Sequence, residues 1–518
     1  MGLFACSKSP HGQGAWLRPP AAAALLALLA LVMASCSSPR DHLPAVRDLY
    51  QKAAARHLRN PVIVVHGILG SRLQERESGR TVWGAFTSDA TDPNTPSGAR
   101  ALALPFEDVA LGATPDLKAA LVAATGPLKA IQINLLFAVV NVGVYARILK
   151  TLGVGGYTDP VLVDPDSPSY AADHYTCFTF FYDWRRDNSE NAVAFGEFVT
   201  SLRKRVDGAA NLRIAELRGQ ADAAALAEAD ALEAWLSNGY RFDVVAHSMG
   251  GLVLRYFLRY GATPLPSDGS VPQVTWAGAE QIDRLVLVGT PSLGSMEALQ
   301  NLTQGFDPGG ILLPHFEAAL LGTMPSIYQL LPRGQGLVVD DKGRSLDVDI
   351  FDVDVWDRNN WGLLADDADT YLRWLLPDVA DRAERRRKAR DVVAANLERA
   401  KRFHRAIDFA APSSPTELRL FAADTESTLA KVRLEERDGR LVPCFTGDEL
   451  RTFGDGTVTR RSALGDLRAS EMAGTWLDST VEWGGVTFLP DDHVGLTANP
   501  VFTDNLLFYL LEQAPRRR

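Results

Sequence analysis

Val245-Ala246-His247-Ser248-Met249-Gly250-Gly251 closes the short run Phe242–Ala246 and opens the apolar stretch Gly251–Tyr260. A serine between a strand and a helix, with small residues two places before and two after it, predicts a sharp turn that lifts the hydroxyl above the sheet. The small residues matter because such a turn crowds the strand against the helix. A bare small-x-Ser-x-Gly pattern recurs by chance in a chain of this length. The strand before it and the helix after it give it meaning.

Working outward, strand-like runs recur at Pro61–Val65, His174–Phe181, Arg284–Gly289 and Leu418–Ala423. Short, largely apolar strands separated by helical stretches predict a mostly parallel sheet covered by helices on both faces. Helices are expected at Glu190–Val206, Gly251–Tyr260 and Asn505–Glu512. Apolar residues are 46% of the 518 and charged residues 22%, which excludes a disordered or polytopic membrane chain. The net charge of −10 argues against nucleic acid as a partner.

A serine hydroxyl becomes a nucleophile only when an imidazole takes its proton, and that imidazole needs a carboxylate to orient it. His315, His404 and His493 are the histidines after Ser248. His493 sits in the polar loop Asp491-Asp492-His493-Val494-Gly495, between the apolar Val486–Leu489 and the terminal helix, and is the expected base. His315 and His404 are expected to be structural. Asp455, in the glycine-flanked turn Phe453-Gly454-Asp455-Gly456-Thr457-Val458, is the expected acid, with Asp424 as competitor. This order of serine, acid and histidine is that of an α/β-hydrolase fold. The loop Val65-His66-Gly67-Ile68-Leu69-Gly70 follows the first strand. It completes an oxyanion hole, formed by the N–H groups of Ile68 and Met249. No metal or cofactor is expected. Asp347, Asp349, Asp352 and Asp354 lack calcium-loop spacing and read as a strand and loop.

At the other end, residues 1–35 carry Lys8 and Arg18 and no acid, followed by the apolar run Ala21–Ala34. That run would rise about 21 Å as a helix, short of the roughly 30 Å of a hydrocarbon core. A basic lead, a short apolar stretch and a small-residue exit predict a secretory signal. Met33-Ala34-Ser35-Cys36 resembles a lipobox, which would make Cys36 the lipidated N-terminus of a cell-envelope protein at the outer membrane, on its periplasmic face or surface. An ordinary secretory signal is the alternative. Removing residues 1–35 leaves 483 residues, with 51 basic against 63 acidic side chains, or −12. Cys177 and Cys444 then remain, either as one disulfide or as two buried thiols.

Five patches carry a wider resemblance: PVIVVHGILGSRL (61–73), FFYDWRRD (180–187), VAHSMGG (245–251), PSIYQLLP (325–332) and FGDGTV (453–458) with His493 after it. Through them the chain resembles the lecithin:cholesterol acyltransferase-like family of α/β-hydrolases, as a bacterial lipoprotein member. The resemblance implies a serine acylhydrolase or acyltransferase acting on lipid esters, phospholipid or acylglycerol. It also implies that Tyr182, Asp183, Trp184 and Arg185 help build the acyl-binding region. The chain departs from the family at Ala246, where glycine is usual, at His66-Gly67, and at Gly289-Thr290-Pro291-Ser292, which lacks a tryptophan after the proline. A short-chain carboxylesterase or thioesterase, and a non-catalytic lipid-binding envelope lipoprotein, are the competing functions.

The organisation expected is a signal peptide (1–35), a tether (36–60), and a hydrolase core (61–291 and 413–518). A helical pair is inserted at 209–237 and a cap or lid at 292–412. Trp356, Trp361 and Trp374 of the cap are available to line an acyl channel. The stretch Arg382–Arg405 has ten Arg or Lys against three acids and an apolar stripe of Val393, Leu397, Ala400 and His404. It reads as an amphipathic helix with its stripe on the core; contact with anionic lipid is the alternative.

Overall fold

The run Val62–Val65 (β1) is buried at every residue, because it lies hydrogen-bonded between two parallel neighbours. The computed structural model describes residues 49–50, 58–84, 91–108, 120–128, 144–159, 176–220, 222–307, 314–468 and 474–513. The segment expected as a signal peptide (1–35), Cys36, most of the expected tether (36–60) and residues 310–313 of the expected cap lie outside them. Further strands are Cys177–Phe180 (β2), Phe242–His247 (β3), Ile282–Val288 (β4), Glu417–Ala423 (β5) and Gly485–Leu489 (β6). They form one parallel sheet in the order β6-β5-β4-β3-β1-β2. Helices flank this sheet, the α/β-hydrolase arrangement.

The order of the strands places the site. From β1 the chain crosses to β2 on one side, then returns to β3 on the other. The carboxyl ends of β1 and β3 therefore diverge at a topological switch point, where open α/β sheets leave a crevice. The His66–Gly70 loop leaves β1 there, and Ser248 follows β3.

The helix expected to end at Val206 runs on as Asn188–Gln220 (α1), with no break at 209. A lone Gly208 costs about 1 kcal/mol relative to alanine, too little to stop a helix rich in good formers. The chain then returns as Ala223–Ser237 (α2), where Asp222 caps the N–H groups of Ala224 and Ala225. Ile214 and Leu217 meet Ala225, Ala229 and Leu232 in a small core of their own. The 209–237 pair is thus the outer end of α1 and its return. Met249–Tyr260 (α3), Met296–Gln304 (α4), Arg382–Asp408 (α5) and Pro500–Leu511 (α6) follow.

Helix α5 buries Val393, Leu397, Ala400 and His404. Four of its cations find acids on neighbouring elements as follows: Arg385 on Asp369 (2.7 Å), Arg386 on Asp357 (2.7 Å), Arg390 on Asp354, and Arg399 on Asp187 (3.3 Å). The apolar stripe is spent on the core and so is not free to meet a membrane. The acidic alternation contains no strand: Asp352 caps the helix Val353–Asn359, whose Asp354 and Asp357 meet α5. No helix among the described residues is long and apolar enough to cross a membrane. Cys177 and Cys444 are free thiols, Cys177 buried in β2.

Candidate active site

Ser248 sits between β3 and α3 with φ +53°, a backbone setting that non-glycine residues rarely hold. Its N–H donates to the Val288 carbonyl at 2.8 Å, tying the turn to β4. The crowding expected from the sequence is measurable. A Cβ on Gly250 would fall 2.4 Å from the His66 carbonyl oxygen, and one on Gly67 would fall 2.7 Å from the Ser248 Cβ. Gly250→Ala must therefore push the β1 loop away from the elbow. It is expected to cost about 2–3 kcal/mol, read as a lower urea midpoint at unchanged m value. A midpoint equal to that of the parent would contradict the close approach.

The structure brings Ser248, His493 and Asp455 together. The His493 Nε2 lies 3.0 Å from the Ser248 Oγ, and its Nδ1 lies 2.7 Å from the Asp455 Oδ2. The other Asp455 oxygen accepts the N–H groups of Thr457 (3.0 Å) and Val458 (2.6 Å). The His493 N–H donates to the Asp455 carbonyl at 2.8 Å, so backbone and side chain both tie the two loops. Asp424 is elsewhere, paired with Arg460 at 2.7 Å. His315 meets Asp307 at 2.9 Å, and the buried His404 meets the Gln329 carbonyl at 2.8 Å.

Electrostatics separate His493 from the two other imidazoles nearby. Burial lowers His66 to about 4 and His247 to about 3, so both are neutral at ordinary pH. Burial also works against a charge on His493. There the Asp455 carboxylate and its hydrogen bond, helped by Glu297 and Asp492, outweigh burial and raise the pKa above 6.5. Burial would raise Asp455, but the charge and hydrogen bond of His493 and two backbone N–H groups hold it below the usual range. A base must be unprotonated to act. The acid limb of kcat/KM against pH is therefore expected above pH 6.5, activity falling as pH drops through it. A limb below that ordinary imidazole value in the free enzyme would contradict this.

The β1 loop is braced from behind. Leu69 holds φ +64°, and its carbonyl accepts the Trp83 Nε1–H at 2.9 Å. The Tyr182 ring stacks on His66 at 4.3 Å, and its hydroxyl donates to the His66 carbonyl at 2.8 Å. Ile68 lines the cavity beside Ser248. Met249 is the first residue of α3, so its N–H has no acceptor within the helix. Of the four residues of the 182–185 run, Trp184 alone lines the cavity. Arg185 grips Asp183 with two bonds (2.9 and 2.7 Å) and donates to the carbonyls of Ala101 and Leu102. Tyr182, Asp183 and Arg185 thus hold the wall rather than form it.

The cavity measures about 360 Å³, toward the small end for ligand pockets. Its apolar wall is made by Leu128, Ile148, Trp184, Phe306, Ile327 and Leu330. The three tryptophans expected there are not in it. Trp356 is wholly buried and donates to the Ile350 carbonyl, and Trp361 donates to the Leu441 carbonyl, both at 2.8 Å. His247, Glu297 and Asn301 also line the cavity, beyond the residues the sequence points to. His247 was legible as the neighbour of Ser248; the other two carried no sequence signal.

The arrangement can transfer a proton from a serine hydroxyl to a carboxylate-held imidazole beside an apolar cavity, which is acyl-transfer chemistry. A family model for lecithin:cholesterol acyltransferase matches residues 231–355. No curated protein matches the chain. The structure is similar to one described as the crystal structure of the Tle4-Tli4 complex (TM-score 0.50, 16% identity), covering 88% of this chain and 99% of that one. It is more distantly similar to Bacillus licheniformis lipase BlEst2 in its propeptide form (TM-score 0.29, 11% identity, covering 89% and 52%). With lipase 1 from Pelosinus fermentans the TM-score is 0.23 and the identity 14%, covering 53% and 72%.

Proposed function

We propose that the chain is a lecithin:cholesterol acyltransferase-like α/β-hydrolase, a serine acylhydrolase or acyltransferase that acts on lipid esters through an acyl-enzyme. The Ser248 Oγ attacks the ester carbonyl while His493 takes its proton, with Asp455 holding the imidazole in the productive tautomer. The N–H groups of Ile68 and Met249 receive the oxyanion. Collapse expels the alcohol, which leaves with the proton from His493. Water or an acceptor alcohol then attacks the Ser248 ester by the same route in reverse.

The observation that carries this reading is the hydrogen-bonded chain Ser248–His493–Asp455 opening on an apolar cavity. A lipid-binding protein with no chemistry has no need of that chain. The test is an ester panel, from short nitrophenyl esters to phospholipids and triacylglycerols, with and without an acceptor alcohol. Turnover of long-chain esters is expected; activity confined to acetyl and butyryl esters would defeat the lipid reading and leave a carboxylesterase. Cys36 is proposed as the lipid-bearing residue of an envelope-anchored protein. Fatty-acid label incorporated by the parent and lost in Cys36→Ala would support it; label retained in that variant would exclude it.

A further inference from the structure

Among the polar side chains that line the cavity, Glu297 and Asn301 take no part in the steps above. Glu297 and Asn301 lie four residues apart on α4, so they share one face of that helix, and both line the cavity. Ser295 fixes the start of α4, accepting the Glu297 N–H at 3.2 Å while its own hydroxyl donates to the Thr457 carbonyl at 2.6 Å. The Asp455 turn thus anchors this face. The turn that Ser295 binds also carries Asp455, which holds His493 at 2.7 Å, so the start of α4 and Glu297 with it lie on the imidazole side of the cavity. There burial raises the Glu297 pKa and the charge of His493 draws it down.

That neighbour decides which part of a substrate Glu297 meets. The oxyanion donors belong to the β1 loop and the start of α3, whereas His493 is the group that protonates the departing alcohol. A side chain on the His493 side of the cavity is therefore on the alcohol side of the ester. A carboxylate accepts hydrogen bonds and repels anions, and an amide beside it both accepts and donates. An alcohol with further hydroxyl groups supplies the donors that the carboxylate needs and can pair with the amide in either sense. A phosphate at the same place supplies the carboxylate no donor and is repelled by it.

We infer that Glu297 and Asn301 form a hydroxyl-binding subsite for the alcohol part of the ester, making neutral polyol esters such as monoacylglycerols the preferred substrate class over esters with phosphate there. This rests on the acyl-transfer reading of Ser248, His493 and Asp455.

The test compares kcat/KM for 1-octanoylglycerol, ethyl octanoate and 1-octanoylglycerol 3-phosphate in the parent, Glu297→Leu, Glu297→Gln and Asn301→Leu, with fluorophosphonate labelling in parallel. The parent should prefer the glyceryl ester to the ethyl ester about tenfold or more, and Glu297→Leu should lose most of that ratio. Glu297→Gln, still an acceptor but uncharged, should keep part of it and gain on the phosphate ester. Labelling and turnover without a glyceryl preference, or variants that lower both neutral esters in parallel, would overturn the subsite and leave the acyl-transfer reading standing. No labelling and no turnover in the parent would overturn that reading and the subsite with it.

Discussion

Ser248→Ala is expected to lower kcat on the best ester by about four to six powers of ten, and to abolish fluorophosphonate labelling, in a protein that still folds. The size of the loss follows from the geometry. The nearest alternative nucleophile would need a base, and burial makes the two other imidazoles of the site weak ones, with pKa values of about 4 and about 3: His66 meets the Gly67 carbonyl at 2.7 Å, and His247 meets that of His493 at 3.1 Å. What survives the substitution is binding and oxyanion stabilisation. Folding should survive because alanine pays the same steric cost as serine at φ +53°. Ser248→Gly sharpens the point: glycine relieves a strain of about 1–3 kcal/mol, so that variant should melt higher than the parent while being equally inactive. Activity within tenfold of the parent in either variant would place the chemistry elsewhere.

The parts of this molecule legible in its sequence are those written locally. The elbow occupies a strand end, a turn and a helix start within a dozen residues, and the His66–Gly70 loop is equally compact. His493 emerged by elimination among three histidines, and Asp455 from a glycine-flanked turn; in the structure Asp424 is held by Arg460. The apolar stripe of α5 lies on the core, as its spacing implies, whereas the acids that meet its cations, Asp187, Asp354, Asp357 and Asp369, lie too far off in the sequence to be read. What failed depended on such distant partners. Trp356, Trp361 and Trp374 are as apolar as any channel lining, but which side of the 292–412 segment faces the cavity is settled by packing. Glu297 and Asn301 were invisible for a related reason: a polar helix face turned toward a cavity has the same sequence as one turned toward water. The helix expected to end at Val206 runs on because Ile214 and Leu217 find a core on α2, which local propensity does not show.

Asp455→Asn should lower kcat by about ten-thousandfold while leaving the fold and its hydrogen-bond count nearly intact. The reason lies in the other oxygen of the carboxylate. Its Oδ1 accepts the N–H groups of Thr457 and Val458, which can only donate. An asparagine must therefore present its carbonyl oxygen to those two groups and turn its NH₂ toward His493. The His493 Nδ1 would then have to accept, which places the imidazole proton on Nε2, the atom facing the Ser248 Oγ. A protonated Nε2 cannot take the serine proton. The same substitution removes the largest favourable contribution to the His493 imidazolium, so the pKa of that residue should fall. Two readouts thus move together: a large loss of kcat, and an acid limb displaced to lower pH in the residual activity. Asp424→Asn is the control, since its partner is Arg460 and its loss leaves the imidazole untouched. If Asp424→Asn abolished activity and Asp455→Asn did not, the acid would have been misassigned. If Asp455→Asn lost activity with an unmoved acid limb, the carboxylate would be holding the loop rather than the proton.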